Sequence, residues 1–217
     1  MILMLGKRKT RTDATINWVR APGPVRDGLR IGLLGGSFNP PHGGHVHVSE
    51  AALKKLGLDY VWWLVSPQNP LKPSRGMASF DKRLEAAKRL ADRHPRIVVS
   101  GVEQELGTRF TIDTLKALKR RFADTRFVWL MGSDNLVQIP RWRRWQQIFA
   151  EVPVAVVTRP GSALPARHSK AAIRFKSSGL PADARFADAK PPALTVIEVK
   201  RNPASGTQLR AASASRK

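Results

Sequence analysis

Six short apolar runs recur along the chain with amphipathic stretches between them, and this alternation restricts the fold more than any other feature. The runs are LRIGLL at 29–34, YVWWLV at 60–65, RIVV at 96–99, RFVWLM at 126–131, VPVAVVT at 152–158 and LTVIEV at 194–199. Each has the length and composition of a short buried strand. Residues 44–57, 78–94 and 111–123 carry helical patterns, and in the second Phe80, Leu84, Ala87, Leu90 and Ala91 share one helix face. Thr111 is placed to cap the third, with Asp113 in its first turn. The order predicts an α/β, Rossmann-like, doubly wound parallel sheet of about six strands with helices on both faces. A single domain is expected over 30–217, with 160–192 as an irregular insertion rich in Ala, Pro and Arg. Residues 1–29, basic and without sustained periodicity, read as a flexible N-terminal arm.

The 217 residues suffice for one well-buried core. Lys and Arg number 38 against 16 Asp and Glu, a net charge of +22 that suits polyanions. Two readings remain open on charge alone: a diffuse basic surface with a phosphate-binding cleft inside it, or a nucleic-acid-binding module. The sequence contains no recognised DNA-reading or RNA-stacking motif, which makes nucleic acid the weaker reading. With no cysteine, disulfides and thiolate metal sites are excluded, which fits a reducing cytoplasm. MILML is too short for a signal-peptide core or a membrane span, so a soluble cytoplasmic protein without a membrane partner is expected.

Ligands of such sheets bind beyond the carboxyl ends of the strands. The segments following the runs are GGSFNPPH, SPQNPLKP, GSDNL, TRPGS and KRNPASGTQLR, all rich in glycine, hydroxyls, amides or positive charge. Three of the five histidines lie in GGSFNPPHGGHVHVSE at 35–50. Gly35 and Gly36 are expected to give the chain a tight exit from its strand and to let backbone N–H groups approach a ligand. If a helix begins near Pro41–His42, His42 and His45 project from one side of its first turn, at the positive end of the dipole. Gly43 and Gly44 leave room between the rings. His47 would point elsewhere, so a zinc site from the three histidines needs a non-helical backbone and has no carboxylate nearby. An oligophosphate is the better guest, although neither a Walker loop nor the dinucleotide fingerprint is present.

With these residues in hand, the sequence resembles the bacterial nicotinate-nucleotide adenylyltransferases, within the nucleotidyltransferase superfamily that carries a His-x-Gly-His signature. Here the signature is His42-Gly43-Gly44-His45. The likeness continues in the family's order through YVWWLVSPQNPLKP (60–73), FTIDTL (110–115), GSDNL (132–136), IPRWRRWQQI (139–148), VVTRPG (156–161) and NPASGTQLR (202–210). Two departures stand out. Gly206 replaces the second serine of the usual last motif, and many members carry a helix beyond that motif whereas this sequence ends at Lys217.

The resemblance implies adenylyl transfer from ATP to nicotinate mononucleotide, giving nicotinate adenine dinucleotide and pyrophosphate by direct in-line attack. It implies that His42 and His45 contact the ATP phosphates, that Arg210 with Ser205 and Thr207 holds the β- and γ-phosphates, and that Lys72 neutralises phosphate. Gly35, Gly36, Ser37 and Phe38 would supply backbone contacts to ATP, and Ser37 and Phe38 to the mononucleotide as well. On the acceptor side it implies Trp142 as a platform for the pyridine ring, Thr111 for the nicotinate carboxylate, Asp134 for a ribose hydroxyl and Arg159 for the phosphate. By residue type alone, Lys72 could be a solvated loop lysine, Trp142 a packing residue and Asp134 a helix cap. Mg²⁺ would ride on the ATP and pyrophosphate oxygens, with no metal site in the protein. An adenylyltransferase for nicotinamide mononucleotide or pantetheine phosphate is the nearest alternative, and a homo-oligomer is possible.

Overall fold

A computed structural model of the chain describes residues 20–67, 76–158 and 166–199. Its strands are β1 (Arg30–Gly36), β2 (Tyr60–Val65), β3 (Ile97–Ser100), β4 (Arg126–Gly132), β5 (Val154–Val157) and β6 (Leu194–Ile197). They form one six-stranded sheet in the order β3-β2-β1-β4-β5-β6, and all five pairings are parallel. Every apolar run is a strand, as the alternation predicts. The two strands nearest the middle, β1 and β4, leave in opposite directions around the sheet, which creates the crevice where such folds take ligands.

The sheet separates two apolar layers, and side chains enter them alternately along each strand. Leu33, Trp62, Leu64, Trp129 and Met131 face one layer. Leu34, Trp63, Val65, Val128 and Leu130 face the other. Helices α1 (Gly43–Lys55) and α2 (Phe80–Ala91) cover the second layer. The first is covered by α3 (Val102–Glu105), α4 (Thr111–Arg121), α5 (Ser133–Gln138) and α6 (Trp145–Glu151). The indoles of Trp62, Trp63 and Trp129 are at most 1% exposed, and side chains of that size dominate the burial term.

Three details differ from the sequence reading. Gly35 and Gly36 do not form the exit from β1; both lie inside it, paired with Leu64 and Val65 of β2. The sharp change of direction comes later, at Phe38, whose φ is +47°. Thr111 does not cap α4. Phe110 holds the cap position without a side-chain bond, because Thr111 is already the first helical residue and its hydroxyl cannot reach back from there. Residues 20–29 are not detached from the body: Leu29 is buried, Ala21 packs on the first layer, and Gly28 N–H bonds to the Asp124 carbonyl.

The described part of 160–192 contains α7 (Lys170–Arg174) and two short 3₁₀ turns. It is the crossover from β5 to β6, and it packs on both layers: Ala171 and Phe175 on one, Phe186 and Ala187 on the other.

Candidate active site

The carboxyl end of β1 runs into Ser37 and Phe38 and then into α1, and the two signature histidines close that turn. His42 is the N-cap of α1 and His45 is the third residue of its first turn. His42 Nδ1 accepts from Gly44 N–H at 3.1 Å, while His45 Nδ1 accepts from His42 N–H at 3.2 Å. The pair is thus a capping box in which imidazoles do the work usually given to a hydroxyl and a carboxylate. The rings lie 4.0 Å apart between centroids.

This arrangement bears on protonation. A ring nitrogen that accepts an N–H carries no proton, so the cap contact fits the His42 tautomer with its proton on Nε2. For His45 the contact to the His42 amide favours the same tautomer. Its Nδ1 also lies 3.3 Å from the His42 carbonyl, a contact that the other tautomer would turn into a hydrogen bond.

The histidines rest on a packed floor. Phe38 is 1% exposed, lies 4.6 Å from the His45 ring and stacks on Trp63 at 5.1 Å. Trp63 Nε1–H donates to Ser49 Oγ at 2.8 Å, and Ser49 in turn donates to the His45 carbonyl at 2.9 Å. Ser49 is fully buried and was not singled out from the sequence. It ties the first turn of α1 to β2.

Gly35 serves packing on the opposite face. A Cβ at that position would sit 2.5 Å from Cη2 of Trp129. The absent side chain lets the Trp129 indole lie across β1, and Trp142 meets that indole edge-to-face at 6.4 Å. The segment bearing Trp142 also touches the start of α4, since the Arg143 guanidinium lies 4.9 Å from the Phe110 ring centre and Arg144 pairs with Asp113. Trp142 and Thr111 therefore share one neighbourhood. Asp134 is exposed in the first turn of α5, immediately after β4. Lys72, Arg159, Ser205, Thr207 and Arg210 lie outside the described residues.

Two buried charged groups near this rim escape the sequence reading. Arg83, on α2, is 2% exposed, and burial pushes its guanidinium below the usual pKa. A signal was present: position 83 falls on the apolar face marked by Phe80 and Ala87. Glu103, on α3, is 8% exposed, and burial raises its carboxyl to about 7 despite hydrogen bonds from Ser66 and Thr114. No local pattern marks it.

The cytidylyltransferase-like family model matches residues 33–212. A protein named "Probable nicotinate-nucleotide adenylyltransferase" from Parvibaculum lavamentivorans is 54% identical over 187 residues, which is 84% of this chain and 92% of that one. A protein of the same name from Cereibacter sphaeroides is 54% identical over 83% of this chain and 96% of its own length. In fold, the chain is similar to Plasmodium falciparum nicotinic acid mononucleotide adenylyltransferase complexed with NaAD, with a TM-score of 0.63 and 17% identity over 84% of this chain and 83% of that one. With its signature histidines at the mouth of the central strand and this degree of identity across most of its length, the chain belongs to the nicotinate-nucleotide adenylyltransferase family of cytidylyltransferase-like proteins.

Proposed function

We infer that the chain is a nicotinate-nucleotide adenylyltransferase, joining ATP and nicotinate mononucleotide to give nicotinate adenine dinucleotide and pyrophosphate. One observation supports this reading most directly: the imidazole pair 4.0 Å apart at the N-terminus of a 13-residue helix, at the carboxyl end of a central parallel strand. Such a helix start, with a ring proton on Nε2, suits a polyphosphate.

The chemistry asks little of a base. The phosphate oxygen of the mononucleotide is already anionic near neutral pH, so it attacks the α-phosphorus in line and pyrophosphate leaves. No covalent enzyme intermediate forms. The enzyme must align two polyanions and stabilise charge growing on the leaving group; alignment contributes as much as ~7–11 kcal/mol in favourable cases, and preorganised donors add to it.

In this reading His42 and His45 bind the ATP phosphates, with His45 nearest the α-phosphoryl group. Ser37 and Phe38 belong to the nucleotide-binding turn, and Gly35 and Gly36 lead into it as the last residues of β1, with packing against Trp129 as the physical reason for glycine at 35. Trp142 stacks on the pyridine ring, Thr111 meets the nicotinate carboxylate with its helix start, and Asp134 takes a ribose hydroxyl. Lys72, Arg159, Ser205, Thr207 and Arg210 complete the phosphate contacts. Among the described residues no three histidine, aspartate or glutamate side chains converge. Mg²⁺ is assigned to the triphosphate oxygens, as part of the substrate. No helix among the described residues is long and apolar enough to cross a membrane.

The test is pyrophosphate release from ATP with nicotinate mononucleotide, nicotinamide mononucleotide or pantetheine phosphate as acceptor. The nicotinate compound is expected to give the highest kcat/KM, and a preference for pantetheine phosphate overturns the reading. His45→Ala is expected to lower kcat/KM by at least about 10²-fold while circular dichroism stays parental. A basic nucleic-acid-binding module would instead show tight, steeply salt-dependent binding that survives loss of both histidines.

A further inference from the structure

We propose that Arg83 is a positioning residue for adenylyl transfer: its buried guanidinium locks together the turn after β1 and both stems of the loop after β2. All three of its nitrogens are used. Nη1 donates to the Ser37 carbonyl at 2.6 Å and to the Ser66 carbonyl at 2.8 Å. Nη2 donates to the Pro67 carbonyl at 2.8 Å, and Nε donates to the Ala78 carbonyl at 3.0 Å. Four acceptors thus come from three separate stretches, at residue 37, residues 66–67 and residue 78. Ser37 belongs to the nucleotide-binding turn. Pro67 and Ala78 stand on either side of the stretch that carries Lys72.

The physical argument is one of specificity. A guanidinium buried to this extent is costly unless its donors are satisfied. Among the described residues Arg83 has no carboxylate partner; backbone carbonyls alone balance it. A helix–sheet contact at this position could be made by leucine or methionine at lower cost. What an apolar residue cannot do is donate to four carbonyls at once, and neither can a lysine, whose three donors radiate from one nitrogen. Two further contacts reinforce the junction: Ala78 N–H donates to Asn39 Oδ1 at 3.2 Å, and Ser66 N–H donates to the Gly36 carbonyl at 2.9 Å. The Phe80 ring lies 5.7 Å beneath the guanidinium. The device holds the loop stems and the β1 turn in register, so that groups on both reach one triphosphate.

This inference rests on the adenylyl-transfer reading, and its tests separate the two. In R83K, kcat/KM for ATP is expected to fall about 10²-fold, the scale of a misplacement of about 1 Å, measured at a temperature where circular dichroism shows the variant folded. A parental kcat/KM overturns the proposal, as does a loss that merely tracks the folded fraction with KM unchanged. Hydrogen exchange reads the lock whether or not nicotinate mononucleotide is the acceptor. R83K should exchange faster at 37–39 and 76–79 and unchanged at β4; equal rates in both proteins overturn the proposal. Should R83K fail to fold, the parental protein supplies the measurement. The Arg83 Nε–H resonance should be protected from solvent exchange and should shift on adding MgATP, and exchange as fast as an exposed arginine's, or no shift, overturns the proposal.

Discussion

Glu103 and Gly35 show how single positions carry constraints that their neighbours in sequence do not announce. Burial raises the Glu103 carboxyl from 4.5 to about 7, so the folded state keeps its proton over a pH range in which the unfolded chain has lost it. The sign follows: this group's contribution to stability is greatest below about pH 4.5, falls as pH rises to about 7, and is level above. At 1.36 kcal/mol per unit the loss amounts to about 3 kcal/mol. Urea unfolding between pH 4.5 and 8 should show that decline in the parent and a flatter profile in Glu103→Gln. Gly35→Ala places a methyl group 2.5 Å from the Trp129 ring. Overpacking of this kind costs about 1–3 kcal/mol, and because Trp129 abuts Trp142, KM for nicotinate mononucleotide should rise as well. Thermal unfolding and acceptor kinetics check the two halves. The glycines at 35 and 36 were legible as special, but their place inside β1 was not, because the reason for glycine at 35 is a tryptophan some ninety residues away.

At the scale of the element, α1 carries both stability and chemistry on one residue. His42 caps the helix through Nδ1, and asparagine is among the best caps. His42→Asn should therefore unfold close to the parental temperature, whereas His42→Ala should lose about 1 kcal/mol. Both should lose adenylyl transfer, since neither restores an Nε2–H. Melting curves beside pyrophosphate release separate the roles. The helices read from sequence were those long enough to show a period: Gly43–Lys55, Phe80–Ala91 and Thr111–Arg121. The helices at 102–105, 133–138 and 145–151 were not read, because a segment of one or two turns shows too little periodicity to reveal a face. They also form on account of the sheet they cover, since isolated helices so short are unstable in water.

For the whole molecule, the net charge of +22 acts as a field rather than as a set of pairs. Among the described residues, several ion pairs are exposed on both sides, such as Arg167 with Glu198 and Arg185 with Asp183. Pairs of this kind add little stability. Self-repulsion should therefore ease as salt rises from about 0.05 to 0.5 M, where the screening length drops to a few ångströms. The unfolding temperature is expected to rise over that range while KM for ATP also rises, because the same salt weakens attraction of the triphosphate. A flat KM would mean that local donors alone hold it.

The amino-acid sequence by itself determined the six strands, their covering on both faces and the presentation of His42 and His45 on one helical turn. These depend on spacing within a few residues, and such spacing is written directly in the chain. Tertiary structure alone decided that Arg83 joins the turn after β1 to both stems of the loop after β2, that Glu103 is dehydrated enough to hold its proton near neutrality, and that Gly35 admits the indole beside Trp142. Each of those is set by groups brought together from distant parts of the chain, where burial and contact exist only once the sheet has formed.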